Sequence, residues 1–292
     1  MGGRVHTMFD NILIPISSEY YKKDIFSTGA FLANTFNSKI NLVYIIEEKT
    51  LNQTDKLSDA YRTPKERGDT KKEIIRKYIQ SADKIIFDEA KYYFKNKNIE
   101  IKENIVKGEF SSAIKNQLEK DQYDLILMGF EKGCLLNYRL IDNVNVPIWI
   151  ESGTKSDSIL AICSNLAPNQ KVPEISIKLS KALDWKLDMI YIVDTQDTVE
   201  VDINGIRSGR ISTKILTEKG KKFINDMQKK GVTVKLKMGS LEKETLKAAK
   251  DLSSKLVVIG REQKKKGLLG VSTKSVKRKM AEKCRYSLLF IN

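Results

Sequence analysis

The chain has 292 residues, 41% of them hydrophobic and 30% charged, enough apolar material for two domains with cores of their own. Its formal charge is +15, its single histidine is His6, and its three cysteines (Cys134, Cys163, Cys284) have no C-x-x-C spacing. This excludes His-dependent triads, His-metal chemistry and a paired-cysteine zinc or dithiol site.

No run approaches the roughly 20 apolar residues of a membrane-crossing helix, so a soluble, cytoplasmic protein is expected. Residues 1–7 lack the apolar centre of a secretory signal and precede Met8, a second candidate start, so they are set aside. Asn11–Ile16 (NILIPI) is a short apolar run closed by Ser17-Ser18 and reads as a buried strand. Residues 24–36 place Ile25, Leu32 and Phe36 near one face and predict a helix with Asp24 as its cap. Residues 39–46 predict a second strand. From 47 to 70 the chain turns polar and aperiodic, with Pro64 and Gly68, the pattern of a long loop or lid. A helix over 71–97, a strand over 99–106, a helix over 111–120 and strands over 125–128 and 146–150 follow. Strands alternating with helices predict a parallel sheet.

The order then begins again. Ser158-Ile-Leu-Ala-Ile-Cys163-Ser164 matches the first strand, and residues 187–193 (LDMIYIV) match 40–46 (INLVYII), both continuing into an acidic residue. Residues 231–239 correspond to 98–108, and 256–260 (LVVIG) repeat 125–129 (LILMG). An internal repeat of this kind predicts two equivalent domains, 8–151 and 152–292, with the boundary in the Ser, Gly, Thr and Lys of 151–157. The last strands, 146–150 and 286–291, are apolar and would otherwise be open edges, so they are expected to lie beside each other. Charge divides unevenly: residues 1–151 hold 23 basic and 22 acidic side chains, which leaves +14 for 152–292. Residues 255–292 alone hold eleven basic and two acidic side chains, which fits an anionic partner or the solvated face of a Lys-rich protein.

An apolar opening strand (Ile-Leu-Ile-Pro in the first repeat, Ile-Leu-Ala-Ile in the second), the Gly and helix after the third strand, the apolar strand ending in Met-Gly or Ile-Gly, and the final apolar strand occur twice in the same order. This pattern resembles the universal stress protein family over residues 9–292. The resemblance implies an α/β fold: two tandem, doubly wound, parallel five-stranded sheet domains of the Rossmann-like, adenine nucleotide α-hydrolase-like type. It also implies dimerisation through the fifth strands, as an internal pseudo-dimer or as a homodimer, and a stress-response or regulatory role. Nucleotide-binding members hold ATP or another adenine nucleotide with a Gly-x2-Gly-x9-Gly-[Ser/Thr] loop after strand four and an aspartate at the end of strand one. Glycines let backbone N–H groups approach phosphates, and the following helix N-terminus favours negative charge.

In the first repeat, Gly129-Phe-Glu-Lys-Gly133 runs on to the last strand without the third glycine or its helix, so triphosphate binding is expected to be lost there. In the second, the resemblance assigns Gly260, Lys264, Lys265, Lys266, Gly267, Gly270, Ser272 and Thr273 to a phosphate loop leading into a helix through Lys283. Ser164 and Ile192 are assigned to the nucleoside side. Gln263 stands where the second glycine belongs, Val271 follows Gly270, and Ser17 and Ser164 replace the aspartate. Plainer readings stand beside these: glycines that shape a turn, lysines on a solvated face, serines that cap turns, Trp149 and Trp185 in the core or an interface, and Cys163 as a packed thiol.

Two functions stay open. One is a stress-response protein that holds a nucleotide or other phosphate ligand in the second repeat. The other is a scaffold of the same family that has lost nucleotide binding and acts through a protein partner. Nucleic-acid binding is a third, opposed by the scarcity of aromatic residues among the C-terminal basic ones. No catalytic residue or metal ligand is expected, and the chain is read as not an enzyme.

Overall fold

The computed structural model describes residues 8–17, 23–47, 73, 88–129, 144–202, 206–261, 280–281 and 283–291. Contacts divide the chain into two compact units, Met1–Asn137 and Tyr138–Asn292.

In the first unit, strands β1 (Asn11–Ile16), β2 (Lys39–Glu47), β3 (Ile101–Gly108) and β4 (Leu125–Gly129) lie in the order β3-β2-β1-β4, every pair parallel. β1 is an inner strand, and the continuous apolar runs of β1 and β4 are buried nearly throughout, as covered parallel strands require. Helices α1 (Asp24–Phe36), α2 (Asp88–Lys95) and α3 (Phe110–Lys120) connect or flank them. The predicted face of α1 is buried through Ile25, Leu32 and Phe36. A Cβ at Gly29 would meet Ile14 Cδ1 at 2.9 Å, so the helix sits closer to the sheet than an alanine there would allow.

Three sequence expectations are corrected. The residue before α1 is Lys23, which makes no side-chain cap; Asp24 lies in the first turn, where its charge meets the helix N-terminus. β3 starts at Ile101 and not at 99, because Asn98 takes a left-handed φ of 56° and the Ile99 N–H still bonds the Phe94 carbonyl at 3.0 Å. β2 runs one residue further than expected, to Glu47. Most of the predicted loop over 47–70 and of the helix over 71–97 lies outside the described residues.

The second unit holds β5 (Ile148–Glu151), β6 (Ser158–Ser164), β7 (Lys186–Asp194), β8 (Val234–Gly239), β9 (Leu256–Gly260) and β10 (Ser287–Ile291). Their order is β8-β7-β6-β9-β10-β5, parallel except for the antiparallel pair β10 and β5. Helices α4 (Val172–Leu183), α5 (Thr213–Lys229) and α6 (Leu241–Asp251) complete it. The run β8-β7-β6-β9 has the order and direction of β3-β2-β1-β4. Single backbone bonds match as well: Asp124 N–H to Asn11 O (2.9 Å) against Lys255 N–H to Ser158 O (3.0 Å), and Lys39 N–H to Asp10 O (2.7 Å) against Lys186 N–H to Asp157 O (3.0 Å).

The two last strands pair as the apolar edges predict, with Ile150 opposite Leu288, Trp149 opposite Leu289 and Ile148 opposite Phe290. All six side chains are buried. At the end of β5 the Glu151 carboxylate is fully buried, and it accepts from Lys255 Nζ (2.7 Å), Gly153 N–H (2.7 Å), Ser287 Oγ (2.9 Å) and the Trp149 indole N–H (3.2 Å). Burial pushes its pKa up, but the bond to Lys255 and its charge, the Gly153 N–H and Ser287 together outweigh that and hold it below the usual carboxylate range. A depressed folded-state pKa contributes stability above the unfolded value that disappears as the pH falls through the folded one. Glu151→Gln is therefore expected to destabilise the protein by about 3 kcal/mol at neutral pH, with the gap closing as the wild-type carboxylate protonates below the usual carboxylate range. Urea unfolding of both proteins at neutral and acid pH measures it; a gap that stays constant with pH would contradict the assignment.

Candidate functional site

In an open parallel sheet the loops at the C-terminal edge diverge where the strand order reverses, and that crevice is the natural ligand position. In the second unit the reversal lies between β6 and β9. The structure brings three of the predicted residues there: Ser164 ends β6 opposite Ile192 of β7, and Gly260 ends the neighbouring β9. Lys264, Lys265, Lys266, Gly267, Gly270, Ser272 and Thr273 lie outside the described residues.

Ser164 is fully buried, and its polar atoms are committed to a turn. Its Oγ accepts from Leu166 N–H (3.2 Å), its N–H donates to Asn169 Oδ1 (3.0 Å), and its carbonyl accepts from Asn169 Nδ2 (2.9 Å). This is the side-chain-to-backbone bonding that makes Ser and Asn good turn residues. The turn carries Pro168 over the end of β9, where a Cβ on Gly260 would stand 1.8 Å from the Pro168 carbonyl oxygen. Gly260 is thus required by the chain's own backbone. Arg261, the next residue, is buried, and its guanidinium donates to the Val144 and Val146 carbonyls, each at 2.6 Å.

Beside this turn, the Asp194 carboxylate at the end of β7 is buried and accepts three backbone N–H groups: Gln196 (2.8 Å) and Asp197 (2.9 Å) on one oxygen, Leu241 (2.7 Å) on the other. It caps α6 in place of Ser240, which makes no side-chain cap bond. Asn165 completes the edge: Oδ1 accepts from Asp194 N–H (2.7 Å), and Nδ2 donates to the Asp197 (3.2 Å) and Val199 (2.7 Å) carbonyls. These bonds draw residues 195–201 across the end of β6. Farther out, ion pairs join Arg207 to Asp197 and Lys219 to Glu200.

Ile192 is fully buried and presents no surface at the edge. Cys163 is packed in β6 and burial pushes its thiol pKa up; Cys284 is likewise pushed up to about 11 by burial. Neither is a ready thiolate. Trp149 is a core aromatic, while Trp185 is half-buried. A groove of about 730 Å³ opens between α4 and α5, floored by Tyr191 and Phe223 with ring centroids 5.2 Å apart. Its rim holds three lysines and three carboxylates, so it carries no net attraction for an anion.

Sequence reasoning missed Asn165, Asn169, Asp194 and Arg261. A signal existed for Asp194, which ends the Tyr-Ile-Val-Asp stretch that parallels Tyr-Ile-Ile-Glu, and for the asparagines that flank a proline in a turn-forming context.

A model of the Universal stress protein family matches residues 8–144. Among solved structures, the chain is similar to a universal stress protein from Archaeoglobus fulgidus DSM 4304, at 12% identity over 96% of this chain and 98% of that one, with a TM-score of 0.60. It is also similar to a functionally unknown protein from Pseudomonas aeruginosa PAO1, at 10% identity over 97% and 92% of the two chains, with a TM-score of 0.65. At such identities the likeness shows the fold. No curated protein matches the chain.

If Gly260 serves the chain's own packing, Gly260→Ala is expected to cost about 3 kcal/mol by forcing Pro168 outward, and Ser164→Ala about 1 kcal/mol for one lost hydrogen bond. Denaturant unfolding without added ligand measures both; an unchanged midpoint for Gly260→Ala would return the glycine to a ligand role.

Proposed function

We propose that this chain, which belongs to the universal stress protein family through residues 8–144, is a cytoplasmic stress-response regulator that works as a protein-interaction scaffold and leaves the β6/β9 edge without an adenine nucleotide. One observation carries the reading: the turn from Ser164 to Asn169 lays the Pro168 carbonyl against Gly260, so the chain's own backbone fills the space beside the end of β9 where the strand order reverses. A nucleoside also needs an acceptor at this edge. Ser164 Oγ is held by Leu166, and the Asp194 carboxylate at the end of the neighbouring β7 accepts three backbone amides. The same commitment of Asp194 favours a non-enzymatic role, since a general base needs a free lone pair aimed at a substrate. The antiparallel pairing of β5 with β10 supports an internal pseudo-dimer of the two repeats, built within one chain.

A second reading rests on the basic composition of residues 255–292. Here a phosphate-ended ligand, ATP or another adenine nucleotide among them, is held by its anionic end at 260–273, with Lys264, Lys265, Lys266 and the Gly267 and Gly270 backbone as donors. Recognition would then depend on phosphate more than on base.

Calorimetric titration of ATP, ADP and AMP at low and moderate salt separates the two. The scaffold reading expects no heat from any of them. The phosphate reading expects weak binding that strengthens with phosphate number, fades with salt and is abolished by Gly270→Asp. Tight, salt-insensitive, base-dependent binding would overturn both.

A further inference from the structure

The β5·β10 register is symmetric about Trp149 and Leu289, so each residue on one strand has a counterpart on the other: Ile148 with Leu288, Ile150 with Phe290, Glu151 with Ile291, and Pro147 with Ser287. The matching bonds Asp124 N–H to Asn11 O and Lys255 N–H to Ser158 O add one more counterpart pair, Asp124 and Lys255. The apolar positions of the pairing surface are therefore near-equivalent in the two repeats. The polar ones are not.

That asymmetry has a consequence for strand choice. Glu151 is fully buried and is satisfied by Lys255 and Ser287, which both belong to the second repeat. If β5 paired instead with β5 of a second copy in the same symmetric register, Glu151 would face that copy's counterparts of Lys255 and Ser287, namely Asp124 and Pro147. A carboxylate would then meet a carboxylate and a residue with no donor at all. If β10 paired with β10 of a second copy, Lys255, only 13% exposed at its side chain, would face Ile291 and lose its counter-charge. Both like-with-like pairings bury an uncompensated charge, which costs far more than a satisfied pair contributes.

We propose that the Glu151, Lys255 and Ser287 cluster is a recognition element: it directs the last strand of the first repeat onto the last strand of the second and rejects the same strand of another copy. The apolar contacts between Trp149, Leu289 and their neighbours supply attraction that does not discriminate. The buried polar cluster supplies the discrimination.

Three variants of the full chain test this, each followed by amide exchange of β5 and β6 and by sedimentation across a range of concentrations. Lys255→Asp gives the second repeat the charge of the first and is expected to lower β5 protection by about tenfold or more while β6 amides stay protected. The charge exchange Glu151→Lys with Lys255→Glu is expected to restore part of the β5 protection lost in Lys255→Asp, the remainder staying lost because the Gly153 and Trp149 N–H groups then face an ammonium. Glu151→Met with Lys255→Met replaces the pair by apolar side chains, a change that buried ion pairs commonly tolerate. This chain is expected to stay folded and to form larger, concentration-dependent species where the wild type forms none. Unchanged β5 protection in Lys255→Asp, or no recovery on charge exchange, would overturn the proposal. So would a double-Met chain that keeps both the protection and the mass of the wild type.

Discussion

Lys255 is the residue through which four strands of the second unit are tied together. Its N–H bonds the Ser158 carbonyl at the start of β6, its carbonyl accepts from Ser287 N–H at the start of β10, and it directly precedes β9. Its ammonium reaches across to Glu151 at the end of β5. A carboxylate without water must be satisfied by the chain around it, so the position of Glu151 determines where β5 can lie. The connection that follows is held from the same point: Ser152 N–H bonds Ser287 Oγ at 3.2 Å, and Thr154 Oγ1 donates to the Arg285 carbonyl at 3.1 Å. One ion pair thereby couples strand pairing to the path of the chain from the first repeat into the second.

The opposite edge of the same sheet solves a related problem with side chains that bond backbone groups directly. Parallel strands deliver their loops to one end, and every N–H and C=O there needs a partner. A ligand can supply those partners, or the chain can. In the second unit Asn165, Asn169 and Asp194 do so, each using its side chain to satisfy backbone groups from a neighbouring turn or helix start. Among the described residues, these backbone groups are already satisfied by the chain itself. A small molecule arriving there would have to displace several well-formed hydrogen bonds and offer replacements for each, which is a poor basis for affinity.

Much of the fold was legible because parallel strands buried on both faces read as unbroken apolar runs, and because the same order of runs occurs twice. β1, β4, β6 and β9 carry that signal directly in NILIPI, LILMG, SILAICS and LVVIG. What escaped was decided by backbone geometry or by distant partners. The start of β3 was misplaced because Asn98 adopts a left-handed conformation that extends the closing turn of α2, and nothing in the apolar pattern encodes it. At the site, Gly260 could be recognised as a position needing glycine, but the reason, the Pro168 carbonyl, comes from the loop after another strand. Arg261 looked like one more charge in a basic stretch. It is buried where the Val144 and Val146 carbonyls, far away in sequence, accept from its guanidinium.

Removing the charges that the fold uses sharpens the question of where a partner would act. Of the eleven basic residues in 255–292, Lys255 pairs with Glu151, Arg261 is bonded to two carbonyls, and Lys283 reaches Glu242 at 2.5 Å. Seven of the others, Lys264, Lys265, Lys266, Lys274, Lys277, Arg278 and Lys279, fall between 262 and 279, a stretch with a single acidic residue, Glu262. Like charges so close in sequence repel one another, and an anionic surface relieves that repulsion wherever it is met. That stretch, seven basic side chains against one acidic, accounts for +6 of the +14 of the second half, and an anionic surface, whether protein or phosphate compound, would meet its densest positive charge there.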